Sequence, residues 1–220
     1  MTNVLLIDDH RLFSASLSVA LRAHGFAVDT PALTSRAEVA GHLVETRPDI
    51  AIIDLDLGAL GNGKPLITVA VDARVHAVVV SAGLDDVAAG HCYALGAAAC
   101  VPKSEPLDEL LATIAAVAGG SETVLETERY RLISVWRRWQ AEADTAAGSF
   151  AHLTARESSV LSQLMGGQSV KSIAADNLVS EATVRTQVHA ILTKLGASSQ
   201  LEAVAMAIRA GWPGSTNVLA

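Results

Sequence analysis

The chain has 220 residues, half of them apolar and 18% charged, with a net charge of −7. This is material for one large or two modest domains and excludes a globally disordered chain. No apolar run approaches the roughly 18 residues of a membrane span. The charge is uneven. Residues 1–120 carry 7 basic and 14 acidic side chains, residues 121–150 carry 4 and 5, and residues 151–220 carry 5 and 4. An acidic front half suits a cation site. The back half is barely basic, so any nucleic acid would meet few phosphate contacts and dimerisation would have to help. Met1-Thr2-Asn3 leads straight into a strand and lacks the basic start of a signal peptide. Cys92 and Cys100 have no metal-like spacing to other ligands and read as two reduced structural thiols, so the expected compartment is the cytoplasm.

Val4-Leu5-Leu6-Ile7 is an apolar strand running into Asp8-Asp9. A helical pattern with Leu12, Leu17, Ala20 and Leu21 follows and closes at His24-Gly25, where glycine suits the C-cap. After a weak strand at Ala27-Val28, Ser35 and Glu38 have capping-box spacing and open a helix through Val39, Leu43 and Val44. Pro48 breaks the chain before Ile50-Ala51-Ile52-Ile53, a run that reads as a strand buried on both faces and ends at Asp54, with Asp56 two residues on. The glycine-rich stretch 58–63 precedes a helix with Pro65 in its first turn. Val75 to Val80 is a fourth strand, ending at Ser81-Ala82-Gly83. Asp85 and Asp86 start the next helix, Ala97 to Val101 is a fifth strand ending in Pro102-Lys103, and Pro106 to Gly119 is a helix with Leu107, Leu110, Leu111, Ile114 and Val117 at helical spacing. A strand–helix order repeated five times predicts a five-stranded parallel sheet, doubly wound by helices.

In such sheets chemistry gathers beyond the carboxyl ends of the strands. Asp8, Asp9, Asp54, Ser81 and Lys103 all fall there. Each has a bland reading: a helix cap for the aspartates, a turn for Ser81, a solvated charge for Lys103. Together they make one site. Clustered carboxylates hold a hard divalent cation such as Mg2+, and cation, lysine and hydroxyl can share the oxygens of a transferred phosphoryl group.

On these residues, 1–120 resemble the receiver domain of bacterial two-component response regulators, a flavodoxin-like fold. The resemblance implies that Asp54 accepts a phosphoryl group from a phosphohistidine of a partner histidine kinase. It implies that Asp9, Asp54 and the main-chain carbonyl of Asp56 bind Mg2+, with Asp8 acting mostly through water. Lys103 then pairs with the phosphoryl oxygens and Ser81 moves to bond one of them. Three positions depart from the pattern. Cys100 stands where the family usually has an aromatic, Leu57-Gly58 replaces the usual Met-Pro and is expected to loosen the loop, and Asp56 is an added carboxylate beside the acceptor.

Residues 121–150 read as a linking helix without Gly or Pro from Glu122 to Ala146, ended by Gly148-Ser149. Leu125, Leu132 and Trp139 recur every seven residues, with Val135 and Trp136 beside them. Packing on the chain's own domain is favoured over a coiled coil, because barely three heptads are present.

In 151–212, Thr154 to Glu157 is a capping box opening a helix through Val160, Leu161, Leu164 and Met165. A short helix around Ile173-Ala174, a turn at Asn177-Leu178-Val179 and a helix capped by Ser180 follow. The last of these buries Val184, Val188, Ile191 and Leu195 and presents Arg185, Thr186, His189, Thr193 and Lys194 on its other face. Ser199 caps a final helix, and 213–220 is a tail. This is the helix-turn-helix plan. The motifs Leu153-Thr154-Ala155-Arg156-Glu157, Ile173-Ala174, Thr183-Val184-Arg185-Thr186 and Lys194-Leu195 resemble the LuxR-type helix-turn-helix, a four-helix domain. The resemblance implies that Arg185, Thr186 and His189 face base edges, while Lys171, Ser180, Thr183 and Lys194 hold phosphates. It makes Ala203, Met206, Ala207 and Ala210 candidates for a dimer face. Gln187 and Gln200 stand where the family commonly has histidine and arginine.

Joined, the halves resemble a NarL/FixJ-type response regulator: a receiver (1–120), a linker (121–150) and a DNA-binding domain (151–212) for a double-stranded operator, expected as a homodimer when active and without membrane association. The rival readings are a regulator that binds DNA independently of phosphate and, more remotely, an aspartate-nucleophile phosphatase. Asp54-Leu55-Asp56 resembles the first motif of haloacid-dehalogenase-type enzymes, but those carry it on their first strand rather than the third. The chain is otherwise expected not to be an enzyme.

Overall fold

The computed structural model describes residues 1–212, apart from the side chains of residues 146 and 147; the expected tail, 213–220, lies outside the described residues. The chain divides into two compact units, Met1–Arg137 and Arg138–Ala220.

The first unit alternates β1 (Asn3–Ile7), α1 (Arg11–Ala23), β2 (Ala27–Asp29), α2 (Arg36–Thr46), β3 (Ile50–Ile53), α3 (Lys64–Asp72), β4 (His76–Ser81), α4 (Asp86–Ala94), β5 (Ala99–Pro102) and α5 (Leu107–Ala118). All strand pairs are parallel, in the order β2-β1-β3-β4-β5. This is the expected doubly wound sheet. The pleat divides each apolar run between two cores. Leu5, Ile7, Ala51, Ile53, Ala77 and Val79 meet α2 and α3, through Val39, Leu43, Leu66 and Ile67. Val4, Leu6, Ile50, Ile52, Val78 and Val80 meet α1 and α5, through Leu17, Leu21, Leu110 and Ile114. An unbroken apolar strand is therefore a strand with two buried faces. Leu12 and Leu107 are exposed: Leu12 lies on the face of α1 opposite buried Leu17 and Leu21, and Leu107 is the first residue of α5.

A helix α6 (Glu126–Phe150) follows. Gly148 does not end it as expected. The helix runs two residues further and delivers Phe150 to the core of the second unit. The stretch 121–150 is accordingly divided between the units. Along the seven-residue stripe only Leu132 is buried, while Leu125 and Trp139 are exposed.

The second unit also contains α7 (Ala155–Met165), α8 (Val170–Asp176), α9 (Glu181–Leu195) and α10 (Gln200–Arg209). The expected capping box is present, with Thr154 and Glu157 each satisfying the other's backbone N–H. Ser180 and Ser199 cap α9 and α10. Val160, Leu161, Ile173, Val184, Val188, Ile191 and Leu195 form the core, and Phe150 stacks on Trp212 at 5.4 Å. Ala203 and Ala207 belong to this core. They are corrected as dimer-face candidates, since a side chain already enclosed cannot meet a second copy. The exposed large residues of α10 are Leu201 and Ile208. Among the described residues no helix is long and apolar enough to cross a membrane.

Candidate functional site

Four strand ends build the first site. Asp8 and Asp9 follow β1, Asp54 follows β3, Ser81 closes β4, and Lys103 follows β5. The strand order reverses between β1 and β3, the point at which open α/β sheets leave a crevice. Asp54 and Ser81 are buried, and with His10, Asp56, Asn62 and Lys64 they line a cleft of about 360 Å³.

Lys103 organises the charges. Its Nζ lies 2.7 Å from Asp54 Oδ2 and 2.7 Å from Asp8 Oδ2. Burial opposes the ammonium charge, but the hydrogen bonds to Asp54 and Asp8 outweigh it and raise the lysine pKa. The Lys103 backbone N–H donates to the Ser81 carbonyl at 3.0 Å, tying lysine and serine to one rung of the sheet. Asp54 Oδ1 accepts from the Asp56 backbone N–H at 3.2 Å.

Ligand atoms of Asp8, Asp9, His10 and Asp54 lie within 4.8 Å of one another. Among the described residues Asp9 Oδ1, a buried atom, has no hydrogen-bond partner, although His10 Nδ1 stands 2.9 Å away. A buried carboxylate oxygen left without a donor calls for a cation or water, and the oxygen donors of Asp8, Asp9 and Asp54 suit a hard divalent ion such as Mg2+. These residues therefore fit the group. His10 was not picked out from the sequence; its signal was its place directly after the Asp8-Asp9 strand end.

The loop beside the site is not loosened by Leu57-Gly58, which corrects that expectation. Leu57 is buried, its N–H bonds the Gly61 carbonyl at 3.0 Å, and Gly58 N–H bonds Asp56 Oδ1 at 3.1 Å. Gly58 has φ +55°, and a Cβ there would stand 2.5 Å from Asp9 Oδ2. Glycine thus lets the loop close against the carboxylate pair.

The second site is the exposed face of α9. Arg185, Thr186 and His189 lie there, opposite buried Val184, Val188 and Ile191, while Ser180 and Thr183 share a 2.9 Å hydrogen bond at the helix start and Lys171 is exposed on α8. Arg185 is near Glu181, at 3.3 Å. Lys194 is engaged elsewhere: its Nζ lies 2.6 Å from Glu157 Oε2. The hydrogen bond from Lys194, helped by Thr154, holds the Glu157 carboxyl below its usual 4.5. A depressed carboxyl stabilises the fold above that value and loses this contribution as pH falls through the lowered one. The second unit's thermal midpoint is therefore expected to drop on acidification below pH 4.5, with a smaller drop in Glu157→Gln. Equal pH profiles by circular dichroism would contradict this.

Residues 4–115 match the model of the response regulator receiver domain, and residues 151–207 match that of the bacterial regulatory proteins of the luxR family. A nitrate/nitrite response regulator protein homolog of Haemophilus influenzae is 30% identical over 209 residues, covering 92% of this chain and 94% of the relative. The transcriptional regulatory protein DegU of Brevibacillus brevis is 27% identical, covering 95% and 94%. Among solved structures, the RcsB response regulator of Salmonella typhimurium shares the fold at a TM-score of 0.52 and 21% identity, covering 93% of this chain and 96% of that one.

Proposed function

Because the chain belongs to the response regulators that join a receiver domain to a LuxR-type DNA-binding domain, we propose that it is a transcription regulator whose DNA binding is set by phosphorylation of Asp54. The donor is a phosphohistidine on a partner histidine kinase. The observation that carries this reading is the pair of 2.7 Å contacts from Lys103 to Asp54 and Asp8, beside the orphaned oxygen of Asp9.

Asp54 supplies the nucleophile. One of its carboxylate oxygens forms the new bond to phosphorus as the bond to the kinase imidazole breaks, and the imidazole keeps the electron pair. Lys103 follows the developing charge, since an ammonium already at the carboxylate can turn to a phosphoryl oxygen at little reorganisation. Ser81 lines the same cleft and offers a hydroxyl to a second oxygen. Asp9, Asp54 and the Asp56 main-chain carbonyl would hold Mg2+, with Asp8 acting through water, and the bound ion would supply the remaining charge neutralisation. Asp56 adds an exposed carboxylate to this cleft. The phosphoryl lifetime in Asp56→Asn is expected to be about twofold to fivefold longer than in the wild type, the size of effect an exposed charge commands. Equal decay rates would contradict a role for Asp56.

Arg185, Thr186 and His189 are assigned to base edges, and Lys171, Ser180 and Thr183 to phosphates. Lys194 reaches a phosphate only by leaving Glu157. Two copies are expected on a two-fold operator, in the cytoplasm. The reading assigns no turnover beyond gain and loss of the chain's own phosphoryl group, so no phosphate release from p-nitrophenyl phosphate is expected.

Fluorescence anisotropy tests it. Duplexes selected by the chain from a random pool are titrated with and without Mg2+ and acetyl phosphate, beside Asp54→Asn. Tighter binding only when wild type is phosphorylated supports the reading. Equal affinity of phosphorylated and unmodified chain would hand the function to the phosphate-independent alternative.

A further inference from the structure

His10 is turned into the acidic cluster rather than onto its own helix. It occupies the N-cap of α1, where a serine, threonine or aspartate would accept from a free backbone N–H, but its side chain makes no cap bond. The ring faces the strand ends instead. Nδ1 lies 2.9 Å from Asp9 Oδ1, 3.4 Å from Asp8 Oδ1 and 3.5 Å from Asp54 Oδ2. The His10 backbone N–H donates to Asp8 Oδ1 at 2.7 Å, which fixes the residue beside the carboxylates.

The ring contacts do not close as hydrogen bonds. Nδ1 and Asp9 Oδ1 are 2.9 Å apart, yet that oxygen has no hydrogen-bond partner among the described residues. Lys103 Nζ lies 3.3 Å from the same ring nitrogen. An ammonium only donates, so toward Lys103 the nitrogen must offer its lone pair, whereas toward the carboxylates it must offer a proton. One nitrogen cannot do both.

The spacing is instead that of ligands around one ion. Neighbouring ligands of an octahedral ion with bonds of about 2.1 Å stand about 3 Å apart. Nδ1 and Asp9 Oδ1 have that separation, and ligand atoms of Asp8, Asp9, His10 and Asp54 all lie within 4.8 Å of one another. A cation there would take the Nδ1 lone pair and the Asp9 oxygen together and leave Lys103 to Asp8 and Asp54. The added donor also sets the ion. Mg2+ takes oxygen ligands and keeps water, while imidazole suits iron, nickel and zinc.

We propose that His10 is a ligand of the divalent-cation site through Nδ1, and that the site thereby takes first-row transition ions ahead of Mg2+. The inference rests on Asp9 and Asp54 holding a divalent cation. Mg2+ is the weaker occupant, held by the oxygens alone, and a transition ion gains the nitrogen. The residues assigned to phosphoryl transfer keep their roles, and His10 adds the choice of metal.

The test is titration calorimetry of the full chain with Co2+ and, separately, with Mg2+, beside His10→Ala, His42→Ala and Asp9→Asn. The His10 side chain is 58% exposed and caps nothing, so alanine there spares the fold. His42 is the control, since it pairs with Asp29 at 2.6 Å outside the cluster. Wild type is expected to bind Co2+ at least about tenfold more tightly than Mg2+. His10→Ala is expected to lose about tenfold or more in Co2+ affinity, the least that even an outer partner of a ligand commands, with Mg2+ affinity unchanged. The visible absorption of bound Co2+ should shift in His10→Ala and not in His42→Ala. Equal loss for the two ions in His10→Ala, or loss for neither, would overturn this inference and leave an oxygen-held cation standing. Affinity for both ions untouched by Asp9→Asn would overturn the divalent-cation reading and this inference with it.

Discussion

Gly63→Ala is expected to destabilise the receiver unit by about 3 kcal/mol, at the upper end of what overpacking costs. A Cβ at position 63 would stand 2.0 Å from the Asp54 carbonyl oxygen and 3.2 Å from Ile53 Cγ2. No rotamer relieves a clash with backbone, so either the end of β3 or the start of α3 must move. Moving β3 displaces the acceptor, and the phosphorylated fraction should fall along with stability. Gly83→Ala is the comparison: it lies in the same cleft, but its Cβ would meet nothing within 4 Å. Urea titrations of the two variants decide the matter, and equal midpoints would show that Gly63 is not held by the Asp54 backbone.

Lys103→Met is expected to cost about 3 kcal/mol in the absence of divalent cation, because it leaves the buried carboxylates of Asp8 and Asp54 without their shared counter-charge. Methionine keeps much of the side-chain volume, so the loss reports charge rather than a cavity. Millimolar Mg2+ is expected to restore most of the stability, since a cation among the same oxygens replaces the ammonium. Phosphorylation should stay slow, because no cationic donor remains on the lysine side of the cleft. A thermal midpoint that is unchanged without Mg2+, or lowered and unresponsive to it, would contradict this account of the site.

Much of the receiver was legible because its signals are local. Ile50-Ala51-Ile52-Ile53 has no polar break and is buried on both faces, and Asp54 followed from where that run stops. Ser35, Thr154, Ser180 and Ser199 each cap the helix they were expected to start. The failures are contacts between distant parts of the chain. The ion pair of Lys194 with Glu157 was not foreseen, because the two are 37 residues apart. The seven-residue recurrence of Leu125, Leu132 and Trp139 suggested one long apolar stripe, yet α6 meets α4 closely at Gly90, so only the residue at that crossing is buried. Gly148 looked like a helix end, but burial of the neighbouring Phe150 carries the helix past it. Gly58 read as a loosened loop because its neighbour Asp9 lies on a different strand end, and only the folded chain reveals that any Cβ would press on that carboxylate.

The central claim is that Asp54 is the phosphoacceptor of this chain. Intact mass after incubation with Mg2+ and acetyl phosphate, beside Asp54→Asn under the same conditions, tests it most directly. The account predicts one added phosphoryl group on the wild type, dependent on Mg2+, and none on Asp54→Asn. An adduct of equal yield on Asp54→Asn, or none on the wild type, would contradict it.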